Sequence, residues 1–133
     1  MGDLEGCLWG DVQGLISGSG ERKAVREPES STVVRERGMT WWRETIIGTT
    51  ASYVLIVSHG SWIRTLVQGL LDHGDLRAEH GVTVGRCYNA AVSVVEIPRG
   101  RGRGKLLQYA NTMHLREVDV VQDNADEGPE PRK

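Results

Sequence analysis

A chain of 133 residues with 38% hydrophobic and 26% charged residues is one domain's worth, long enough for a single core. Its net charge of −2 gives no electrostatic case for a nucleic-acid or membrane partner, and no apolar run reaches transmembrane length. Cys7 and Cys87 lie far apart and in no zinc-type spacing, which points to thiols kept reduced in the cytoplasm, with neither metal nor cofactor expected.

In chain order, residues 1–28 are dense in glycine, and only Leu8, Val12, Leu15 and Ile16 could make a short helical face. A stronger signal follows. Glu29-Ser30-Ser31 supplies N-cap candidates, and Val33, Val34, Arg37, Trp41 and Ile46 recur near helical spacing until Gly48-Thr49-Thr50 closes the helix. Gly38 inside it is worth about 1 kcal/mol against Ala.

The central stretch is Tyr53-Val54-Leu55-Ile56-Val57, an apolar and mostly β-branched run that ends in Ser58-His59-Gly60. An amphipathic segment follows at once, to about Leu71, with Gly74 as a left-handed cap. This reads as a buried parallel strand feeding a helix N-terminus, the place where open α/β sheets bind ligands. Unpaired N–H groups and the helix dipole there favour an anion such as phosphate, with His59, Gly60 and Ser61 as its candidate holders. The alternative is a core strand whose His caps the next helix. Both readings are open from these residues.

Leu76 to Arg86 is a connection of no definite form. Asn89 to Ile97 reads as a strand, with Val92, Val94 and Glu96 on one face, and Lys105 to Ala110 as another. Between them Pro98 to Gly104 alternates Arg with Gly, a solvated turn or, as a weaker reading, an RNA contact. Residues 1–121 read as one domain and 122–133 as an acidic tail with the composition of disorder. Ser58, His59 and Asp75 do not make a triad, because adjacent residues on a strand point to opposite faces. His73, Glu79 and His80 give no metal spacing.

Taken together, these elements resemble the histidine phosphatase superfamily, the phosphoglycerate-mutase-like fold. Ser58-His59-Gly60 after an apolar strand is similar to that family's second histidine motif. Glu29-Ser30, Val34, Arg37 and Trp41 are similar to its Gly-Glu-Ser/Thr helix, with Pro28 in place of the usual Gly. Gly2 to Gly6 resembles the end of its Glu-Arg-x-x-Gly-x-x-Glu-Gly segment. Asn89 to Val94 and Asn111-Thr112-Met113-His114-Leu115 resemble its closing strand and the Asn-x-x-His-Leu ending.

The resemblance implies an α/β fold, a mainly parallel sheet with helices on both faces, and phosphomonoester hydrolysis on a small phosphorylated metabolite through a phosphohistidine. Its details lean towards the fructose-2,6-bisphosphatase-like branch, and so towards a sugar phosphate. It assigns His59 to hydrogen-bonding the phosphoryl oxygens. It also requires an Arg-His-Gly nucleophile, which this sequence contains nowhere, and an acid–base Glu that would precede Gly2. The expectation is therefore a truncated, incomplete fold with negligible turnover and a sheet edge open to self-association. The rival is a non-catalytic phosphate-binding or regulatory module.

Overall fold

The computed structural model describes residues 29–99 and 102–115. The glycine-dense start, the middle of the Arg-Gly turn and the acidic tail lie outside those residues. All the elements below belong to the unit that begins at Ser31.

The first expected helix forms as α1, Ser31–Trp41, and continues into a π-helical turn, Trp42–Ile46. Such a turn carries an extra residue and re-aims the side chains that follow it. Here Trp42 and Ile46 both enter the core beside Met39. The second helix, α2, spans Gly60–His73. It ends at Gly74, whose φ of 83° suits glycine, and whose N–H donates to the Leu71 carbonyl.

The two helices pack closely because a glycine sits at their contact. A Cβ on Gly69 would stand 2.7 Å from Arg35 Cγ and 3.0 Å from Met39 Sδ. Nearby, Trp41 and Trp62 meet edge to face, with ring centroids 5.7 Å apart. Leu66 and Leu70 of α2 complete a core with Met39, Trp42, Ile46 and Leu76. Gly38 faces the same contact, against Leu66 and Trp62, so it serves the packing that the helix needs.

Three strands form one sheet in the order β1-β3-β2: β1 Leu76–Ala78, β2 Val92–Glu96 and β3 Gly104–Asn111. β1 runs parallel to β3, with Leu76 opposite Gly104, and β2 runs antiparallel to it, with Glu96 opposite Lys105. The α/β class expected from the sequence is what the structure shows. β2 and β3 fall where strands were expected, and Val92, Val94 and Glu96 do share a face, the exposed one. β1 comes from the stretch that had no definite reading. Gly104 is fixed by close approach on both sides: a Cβ there would lie 2.5 Å from Leu76 Cδ2 and 3.1 Å from the Glu96 carbonyl oxygen.

The central apolar run corrects the sequence reading. Tyr53 to Val57 is not a buried strand: it joins no ladder, and Tyr53, Leu55 and Val57 are 95%, 88% and 85% exposed. β-branched residues favour a pleated backbone, yet a strand also needs a neighbour to take its hydrogen bonds. No described residue supplies one. Among the described residues, no helix is long and apolar enough to cross a membrane.

Candidate functional site

His59 ends that run and begins α2. Its backbone is extended, φ −80° and ψ 149°, and its carbonyl accepts the Ile63 N–H at 2.9 Å. The imidazole makes no capping bond, so the helix uses only the backbone of this residue. The first N–H groups of an α-helix have no intrahelical acceptor, and they carry the positive end of the dipole. At this site those groups belong to Gly60 and Ser61.

His59 and Gly60 line a cavity of about 440 Å³ between the start of α2 and the chain leading into β2. Its lining is largely apolar, with Trp42, Leu66 and Val95 among it, and its polar side chains include Ser58, His59, Tyr88, Asn89 and Ser93. Ser61, the third expected holder of an anion, does not line this cavity. Cys87 lies buried in its wall and is in no disulfide. An arrangement of one imidazole, helix N–H groups and a largely apolar lining can bind a monoanionic or dianionic head group with a small organic body.

The remaining candidates lie elsewhere. Arg64, one turn into α2, faces a second, polar cavity of about 380 Å³ with Arg35, Ser31, Thr32 and Gln68. That cavity shares no residue with the first. Arg37 and Glu29 are exposed on or before α1. His73 stands with Arg43 and Asp75 at the far end of α2, its Nδ1 3.3 Å from Arg43 Nη2. His114 lies exposed in the closing turn, Met113–Leu115. Among the described residues no group of His, Cys, Asp and Glu is disposed to hold a metal.

Sequence reading missed Tyr88, Asn89 and Ser93 as neighbours of the His59 cavity. In the sequence Asn89 reads only as the start of a strand, and nothing in a local pattern says which distant loop a strand entry will face. Of the expected Arg-Gly turn, Arg103 is described, and its guanidinium lies over Gly74, 3.4 Å from where a Cβ would be. It thus packs on the end of α2.

No match was found among curated proteins or among solved structures. The model of one family, the histidine phosphatase superfamily (branch 1), matches residues 2–111. With the match covering most of its length, this chain belongs to the histidine phosphatase superfamily.

Proposed function

We propose that this chain carries the second-histidine half of a phosphomonoester site, and that by itself it binds phosphate weakly without turning it over. Family membership supports a phosphatase-like function, and the reading assigns His59 to hydrogen-bonding phosphoryl oxygens beside the N–H group of Gly60, which lines the same cavity. The observation that carries it is His59 lining a cavity at the N-terminus of α2. The substrate class is a small phosphorylated metabolite, and the motifs lean slightly towards the sugar-bisphosphatase-like branch.

Turnover needs a nucleophilic imidazole in line with phosphorus and an acid for the leaving oxygen. The sequence has no Arg-His-Gly, and His73 and His114 stand outside the His59 cavity. Losing a nucleophile alone typically removes several orders of magnitude in rate. The test is paired. Titration of purified protein with inorganic phosphate should shift the His59 ring resonances, and hydrolysis of an aryl or sugar phosphate should stay at background. Robust hydrolysis abolished by His59→Ala would overturn the inactive reading, and unmoved resonances would overturn the phosphate site.

A further inference from the structure

The cavity beside His59 has two chemically different ends. Ser58, His59 and Asn89 line it and are exposed, so its polar end meets solvent, with the exposed Leu55 and Val57 also in its lining. Trp42, Leu66, Val67 and Cys87 line it too and are buried, so its inner end is apolar. Among the described residues, no Lys, Arg, Asp or Glu lines it, and Arg35 and Arg64 line the other cavity. At about 440 Å³ it has the size of a small-molecule site.

We propose that the site takes a single phosphate on an uncharged, apolar body, of which an aryl phosphate is the simplest example. The proposal rests on the phosphate reading of His59 and adds what the inner end selects. The head group stays at the wet end, beside His59 and the Gly60 N–H, while the body leaves water against Leu66, Val67 and Trp42. A flat ring also suits a lining that includes Trp42, Trp62 and Tyr88. A sugar in the same place would press hydroxyl groups against Leu66 and Val67, which offer no hydrogen bond, so each would lose water without replacement. A second phosphoryl group would carry its charge to that buried end, where the cost is larger still.

The experiment titrates the full chain with inorganic phosphate, phenyl phosphate, glucose 6-phosphate and fructose 1,6-bisphosphate. Binding is followed at the His59 ring and at the indole N–H resonances of Trp42 and Trp62, assigned with Trp42→Phe and Trp62→Phe. Phenyl phosphate should bind roughly tenfold or more tighter than inorganic phosphate and should move the His59 and indole signals together. The two sugar phosphates should bind no tighter than inorganic phosphate and leave the indoles where they were. If inorganic phosphate moves His59 but phenyl phosphate binds no tighter, or a sugar phosphate binds more tightly than phenyl phosphate, the apolar body is overturned and the phosphate site stands. If His59 responds to none of the four, or the indoles move while His59 does not, the phosphate reading fails and the proposal fails with it.

Discussion

The Arg43 guanidinium donates a 2.9 Å hydrogen bond to Asp75 Oδ2, joining the π-helical turn to the residues that follow α2. Both side chains are partly wet, 45% and 32% exposed, and His73 Nδ1 stands 3.5 Å from the same carboxylate oxygen. A pair in that setting contributes modestly and is screened by salt. A double-mutant cycle with Arg43→Ala and Asp75→Ala, read by urea denaturation, should give a coupling of about 0.5–1 kcal/mol. It should shrink when the titration is repeated in high salt. A coupling that salt leaves unchanged would mean that packing, not charge, joins the two residues.

Two glycines set how closely the elements approach, and they should differ in consequence. Gly69→Ala pushes its Cβ against Arg35 and Met39, both flexible side chains that can move aside. Gly104→Ala pushes against Leu76, a buried core residue, and against the Glu96 carbonyl of the neighbouring strand. Overpacking of this kind costs about 1–3 kcal/mol, and Gly104→Ala should fall at or above the top of that range, Gly69→Ala near its foot. Thermal denaturation of the two variants decides the order.

The sheet has its own strained corner. The β2–β3 register slips between Val92 and Val94, and opposite that slip Ala110 takes a left-handed backbone, φ 47°. Its N–H donates to Ser93 Oγ at 3.0 Å. Ser93→Ala removes the acceptor from a part-buried donor and should destabilise by about 1–2 kcal/mol. Ala110→Gly relieves the backbone, where a left-handed non-glycine residue costs about 1–2 kcal/mol, and should raise the unfolding midpoint. A fall in that midpoint would locate the strain elsewhere.

How much of this was legible in the sequence depended on how local its cause was. The two helices, the closure at Gly48 and the cap at Gly74 follow from spacing and from glycine's backbone freedom, which are local. β2 and β3 were legible too, since they alternate and pair across a short turn. β1 is three residues long and holds its place only because Leu76 lies against Gly104. No window around Leu76 contains that fact. The opposite holds at Tyr53–Val57, where a strong β pattern lacks a partner strand among the described residues. The start of α2 at Gly60 was readable from the apolar run that breaks at Ser58-His59-Gly60. That Asn89 and Ser93 share a cavity with His59 was not, because it depends on the long return of the chain.

His59 gives the sharpest separation between a residue kept for stability and one kept for binding. Position 59 is a helix N-cap, where Asp, Asn and Ser are preferred because a short side-chain oxygen accepts an N–H of the first turn. His offers no such bond here. His59→Asp should therefore stabilise the fold by about 0.5–1 kcal/mol, through the cap and the favourable charge at the dipole's positive end. The same carboxylate occupies the N–H groups of the first turn and repels an incoming anion, so phosphate binding should be lost. The measurement is a urea midpoint and a phosphate titration on the same preparation. A more stable variant that no longer binds phosphate places the anion at the start of α2, and His59→Asn, which caps without adding a charge, tests the imidazole itself: binding lost there too makes His59 a binding residue. A variant that is less stable, or that still binds phosphate, would assign the imidazole a packing role instead.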